Sequence, residues 1–197
     1  MPTALISVFS KEGIVPFART LVELNWAIIS SGGTAKTLRE AGLHVTDVAE
    51  ISGLPAILGH RVVTLVPHIH GGLLATEDQR EELNDLGYPW IDLCCVDFYP
   101  LRNAIADPKA TEKSVIEKTD IGGPTMVRSA AKGRRIVVVD PADRTRVLEW
   151  IKSGQPDSDQ FKRQLAAKAE GIVADYCLQA AIFHSNGEIS GSVTFPS

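Results

Sequence analysis

The chain has 197 residues, 44% of them hydrophobic and 22% charged, with a formal net charge of −4. That is enough apolar content for one substantial core, and the slightly acidic balance speaks against a general nucleic-acid or membrane-surface binder. No run approaches the roughly eighteen apolar residues of a membrane span, and the N-terminus lacks the basic-then-apolar pattern of a secretory signal, so a cytoplasmic protein is expected. Cys94, Cys95 and Cys177 are too few and too irregularly spaced for a metal site or a disulfide framework, which predicts reduced thiols.

In chain order, Ala4 to Val8 is a short apolar run of the kind a buried strand makes. Ile14, Phe17, Ala18, Leu21 and Leu24 then recur at helical spacing over Lys11 to Leu24. Trp26 to Ile29 predicts a second strand that stops at Ser30-Ser31-Gly32-Gly33-Thr34, and Ala35 to Ala41 a helix closed by Gly42. Leu43 to Val48 reads as a third strand. Ser52 to Ala75 is irregular and rich in Gly, Pro and His; such a segment often carries function in an α/β domain, the alternative being a surface excursion.

Ile91 to Val96 predicts a further strand, Gly122-Gly123-Pro124 opens a helix running to about Ala131, and Arg135 to Val139 is another strand. After Pro141 a helix carries Val147, Leu148, Trp150 and Ile151. A long one follows from about Ser158 to Ala181, with Gly171 its weak point. Ser185-Asn186-Gly187-Glu188 reads as a hairpin turn between two short β segments within Ile182 to Ser197. The alternation of strand and helix predicts an α/β fold with a parallel sheet covered on both faces. The expectation is one domain, with an α/β core over about residues 1–140 and a helical extension over about 141–197.

Two Gly-rich turns precede predicted helices. Amides at a helix N-terminus favour anions, and in Ser31-Gly32-Gly33-Thr34 both hydroxyls are also available to phosphate oxygens; a plain turn is the alternative. Ser10 and Lys11 follow the first strand and would stand at the same sheet edge. Lys132, Arg134 and Arg135 form a local basic cluster suited to a single phosphate. In Asp120-Ile121-Gly122-Gly123-Pro124-Thr125-Met126-Val127-Arg128-Ser129-Ala130-Ala131-Lys132 an acid precedes the helix start, and Arg128 and Lys132 share a face. The same pattern also describes an acid on a helix dipole with two exposed cations. Tyr99 lies just beyond a strand, where its hydroxyl either reaches the crevice or is satisfied in the core. His68 and His70 would point the same way on an extended segment, but no Cys or carboxylate nearby completes a ligand set, so no metal is expected. There is no Walker or G-x-G-x-x-G motif and no nucleophile–base signature.

Taken together these segments resemble the IMP cyclohydrolase domain of the bifunctional AICAR transformylase/IMP cyclohydrolases. The resemblance is carried by Ile6-Ser7-Val8 with Lys11 and Gly13, Ser30 to Ala35, Arg61 with Thr64-Leu65, Pro67, His70-Gly71-Gly72, Tyr99-Pro100 and the run from Asp120 to Lys132. It implies a methylglyoxal-synthase-like fold, a Rossmann-like parallel sheet flanked by helices, with a transformylase domain absent from this chain. It also implies closure of FAICAR to IMP with loss of water, no cofactor, a purine ribonucleotide as ligand and a homodimer. On the same basis Ser10, Lys11, Ser31, Gly32, Gly33 and Thr34 would hold the phosphate. Arg61, Thr64, Asp97, Ile121, Gly122 and Gly123 would complete the substrate site, and Lys132, Tyr99 and Asp120 would be catalytic.

Three places depart from the family pattern. Val63 and Val66 stand where Arg-Val-Lys-Thr-Leu-His-Pro has lysine and histidine, Asp97 replaces an asparagine, and Phe9 replaces a small hydroxyl residue. Losing a cation and gaining an anion both weaken the hold on an anionic ribotide, by a few kcal/mol at most. A purine-nucleotide-binding module with weakened chemistry, or a phosphosugar lyase related to methylglyoxal synthase, are the alternatives.

Overall fold

Parallel strands need cover on both faces, because their crossover helices lie there. In the computed structural model, which describes residues 1–189, the strands are β1 (Thr3–Ser7), β2 (Ala27–Ser30), β3 (Thr46–Asp47), β4 (Leu93–Val96) and β5 (Ile136–Val138). All pair in parallel, in the order β3-β2-β1-β4-β5. Successive residues alternate between two cores. Ala4, Ile6, Leu93, Cys95, Ile136 and Val138 face one side, and Leu5, Cys94, Val96 and Val137 the other. Burial pushes both adjacent thiols up, that of Cys95 to about 12, so they are packing groups held as neutral thiols.

The first core is closed by α1 (Ile14–Glu23), α2 (Gly32–Glu40) and α9 (Asp143–Lys152); the second by α3 (Val48–Ser52), α4 (Pro67–Leu74) and α8 (Gly122–Lys132). The 27-residue α10 (Ser158–His184) serves both, through Leu165 on one side and Ala169 and Val173 on the other. Val147 and Trp150 of α9 likewise pack into the first core. Short helices α5 (Arg80–Asp85), α6 (Leu101–Ala106) and α7 (Glu112–Glu117) fill the connections.

Three expectations need correction. The strand read over Leu43 to Val48 shrinks to Thr46–Asp47, because the Asp47 carboxylate accepts the Ala49 amide at 3.0 Å and starts α3. The supposed hairpin near the C-terminus begins instead as the last turn of α10, which runs to His184 and ends in a turn over residues 185–187; its second β segment, from residue 190 on, lies outside the described residues. His68 and His70 are helical, since Pro67 at the first position opens α4. Two apart on a helix, they point different ways: the His68 ring packs at a tilt against Tyr88, with centroids 4.2 Å apart, and His70 bonds Ser129 Oγ at 2.9 Å.

The basic cluster also dissolves. Arg134 pairs with Asp159 on the surface, while the buried Arg135 donates to the carbonyls of Leu73, Gly72 and Ala75 at the end of α4 and lies 3.7 Å from the Trp90 ring centre. A guanidinium is well suited to that position, supplying several donors to the orphan carbonyls at the negative end of a helix. Arg135→Met should strand those carbonyls and lower stability by about 3 kcal/mol, read as an earlier midpoint in urea unfolding.

Candidate functional site

β1 has β2 on one side and β4 on the other, so the chain switches direction across the sheet between β1 and β4. Ligands of open α/β sheets bind outside the carboxyl ends of the strands at such a point. A cavity of about 950 Å³ opens there, large enough for a nucleotide-sized ligand.

The end of β1 contributes Val8, Phe9 and Lys11 to its wall, and the turn into α2 contributes Ser31, Gly32, Gly33 and Thr34. The end of β4 adds Asp97 and Tyr99. The connection into α8 adds Lys118, Asp120, Ile121, Gly122 and Gly123, and the segment after α3 adds His60, Arg61, Val63 and Thr64. All but two of the residues expected from sequence are thus brought together. Ser10 turns away and lines a separate cleft between α1 and α9. Lys132 closes the far end of α8; ten residues after Gly122, it lies roughly 15 Å along the helix axis and does not line the cavity.

The hydrogen bonds refine what each group has to offer. The Thr34 hydroxyl donates to the Val8 carbonyl at 3.0 Å and accepts the Val8 amide at 3.1 Å, so it fastens α2 to β1, and Ser31 is left as the hydroxyl of the pair for a ligand. Lys11 is folded back onto the carbonyls of Val8 and Phe9, and burial lowers its pKa against the raising effect of Asp97. Arg61 pairs with Glu117 of α7.

Asp97 is occupied by its own chain. Oδ1 accepts the amides of Phe9 and Ser10, and Oδ2 lies 3.4 Å from the Arg144 guanidinium, which also donates to the Glu12 carbonyl at 2.7 Å. Burial raises its pKa even so. Its contribution is to set the loop between β1 and α1, whatever further contact it makes with a ligand. The loop carries Phe9, whose ring meets Tyr99 edge-on at 4.6 Å.

Asp120 holds the start of α8. Its carboxylate accepts the Gly123 amide at 2.9 Å, and its own amide donates to the Tyr176 hydroxyl of α10 at 2.7 Å. Burial raises the Asp120 pKa, opposed by the α8 amides and reinforced by Asp97. The paired glycines have a steric cause. A Cβ at Gly122 would come within 2.9 Å of Thr64 Oγ1, and one at Gly123 would overlap the Asp120 carboxylate and lie 2.9 Å from Phe98 Cδ1.

Sequence reasoning missed Lys118, His60 and His184. The first sits two residues before the distinctive run, at the C-terminal end of α7, in a segment that carries no motif. The second lies in the irregular segment with φ 69°. The third is carried to the cavity by the last turn of α10, which no local pattern announces. Among the described residues no His, Cys, Asp and Glu cluster could hold a metal ion, and no helix is long and apolar enough to cross a membrane.

The chain belongs to the MGS-like domain family, which matches residues 13–125 around this cavity. Among its relatives, the bifunctional purine biosynthesis protein PurH of Bacillus cytotoxicus is 46% identical over 178 residues, covering 88% of this chain and 35% of the relative. PurH of Halalkalibacterium halodurans is 44% identical over 189 residues, covering 90% of this chain and 37% of that one. The chain therefore spans little more than a third of the length of these curated relatives. A crystal structure of ForH superposes with a TM-score of 0.82 at 33% identity, covering 95% of this chain and 99% of that one.

Two outcomes test the architecture of the site. Asp97→Ala should speed amide hydrogen exchange at Phe9 and Ser10 by about tenfold or more while the β4 amides stay protected. Gly123→Ala should cost about 2 kcal/mol in chemical denaturation, because the added methyl must displace the Asp120 carboxylate and Phe98.

Proposed function

We propose that this chain is an IMP cyclohydrolase that closes FAICAR to IMP with loss of water. The observation that carries the reading is the placement of Tyr99 and Asp120 in one cavity with Lys11 and the Ser31-Gly32-Gly33 turn. The relatedness to PurH supports it. The ribotide phosphate takes the N-terminus of α2, where backbone amides, the Ser31 hydroxyl and the Lys11 ammonium meet. Phe9 and Tyr99 form an aromatic wall beside the ring to be closed. A homodimer belongs to the same reading and is carried by the family resemblance alone, while a cytoplasmic setting fits the few, irregularly spaced cysteines.

Ring closure requires the carboxamide nitrogen to lose a proton as it attacks the formyl carbon, whose oxygen gains charge. Asp120, ionised, polarises the carboxamide N–H, and the Tyr99 hydroxyl donates to the developing oxyanion and the departing water. The reaction is intramolecular, so holding the reactive rotamer supplies much of the acceleration and few donors are needed. Lys132 has no part in this scheme within one chain, because it stands at the other end of α8.

A nucleotide-binding module without turnover is the second reading, favoured by the apolar Val63 in the cavity wall. A spectrophotometric assay with FAICAR separates the two: turnover by the parent that falls about a hundredfold in Tyr99→Phe supports the enzyme, whereas tight IMP binding without turnover supports the module. The enzyme reading also predicts a pH profile. The Asp120 pKa is raised, so the group is protonated, and useless as a base, below a value above the ordinary carboxylate range. kcat/KM should therefore fall as the pH drops through that value, and Asp120→Asn should remove both this limb and most of the turnover. The same shift opposes folding at higher pH, since the folded chain binds that proton more tightly than the unfolded one, and the penalty disappears on acidification.

A further inference from the structure

The charges around the cavity are unequally engaged. Lys11 is tied to two carbonyls of its own loop, and Arg61 is paired with Glu117. Lys118 closes the C-terminal end of α7, half-buried in the cavity wall, and among the described residues no carboxylate lies within ion-pair distance of it. Its ammonium stands 5.7 Å from the centre of the Tyr99 ring, within range of the attraction between a cation and a π face. Two residues further on comes Asp120. The lysine of the family's Arg-Val-Lys-Thr pattern is Val63 here, and Val63 faces the same cavity.

We infer that Lys118 is the ligand-contacting cation of this site, supplying from the α7–α8 connection the positive charge that Val63 leaves out. A lysine suits the task because its ammonium is a compact charge on a flexible stem, free to leave the Tyr99 ring for an oxygen that gains charge during ring closure. Arg128 and His68 do not take this place. Arg128 lies on the outer side of α8 against Glu170, and His68 packs on Tyr88. Lys118 joins Tyr99 and Asp120 on one side of the reacting groups, while Lys11 stays with the phosphate.

The inference rests on the cyclohydrolase reading, and the test separates the two. Lys118→Met, Lys118→Arg and the double variant Lys118→Met/Val63→Lys are compared with the parent by FAICAR turnover and by calorimetry with IMP, with thermal melts to confirm folding. Lys118→Met should lose about 10- to 100-fold in kcat/KM, the range a charged hydrogen bond supplies, and bind IMP more weakly. The loss should be largely reversed by Lys118→Arg or by the lysine placed at position 63. Parental kinetics and affinity in Lys118→Met would overturn the inference and leave the cyclohydrolase reading intact. A loss that neither compensating change reverses would also overturn it, since that pattern belongs to packing and not to charge. A parent that neither turns over FAICAR nor binds IMP would remove the cyclohydrolase reading and this inference with it.

Discussion

β1 and β4 stop side by side, and most of what lines the cavity follows from that. β1 lies at the middle of the sheet with both faces buried, and its register sets Ser7 against Val96. A slip of one residue would turn every side chain of β1 into the wrong core, so the register is strongly specified. The two strands must then leave the sheet edge as neighbours, which brings Phe9 against Tyr99 and the Asp97 carboxylate onto the amides of Phe9 and Ser10.

Much of the cavity's charge is spent on holding the cavity. Asp97 fixes one loop with help from Arg144, Asp120 starts α8, Thr34 joins α2 to β1, and Lys11 closes on its own loop. A site assembled this way is preorganised, since its polar groups already point along fixed directions. It is also sensitive: two half-buried carboxylates, both with pKa values raised first by burial, stand in one cavity, and the charge of Asp97 further disfavours ionisation of Asp120.

The fold was largely legible because the strands are apolar throughout and separated by helical spacing. Short apolar runs picked out β1, β2, β4 and β5, helical spacing α1, the Gly-Gly-Pro start α8 and helix-forming composition α10, all within a few residues of their ends. None of these signals reached α3 to α7, which are short and whose helical state is set by caps and tertiary contacts. α4, for example, is anchored through its terminal carbonyls by Arg135, sixty or more positions away. For the candidate site, the glycine turns and the Asp120 run pointed to segments that line the cavity, because close approach leaves little choice of residue. What sequence could not show was direction. Ser10 and Lys132 carry suitable groups and turn elsewhere, while Lys118 and His184 reach the cavity only through the angles at which α7 and α10 arrive.

The pair between Arg61 and Glu117 has a consequence for ionic strength. Both side chains are substantially exposed, 62% and 44%, so dissolved ions weaken their attraction. An anionic ligand that takes Arg61 must first draw it from Glu117. Added salt screens the ligand from the protein, but it also loosens the bond that withholds the guanidinium, and the two effects oppose each other. Capture of a phosphorylated ligand by this segment would then depend on salt less steeply than the number of cations around the cavity suggests.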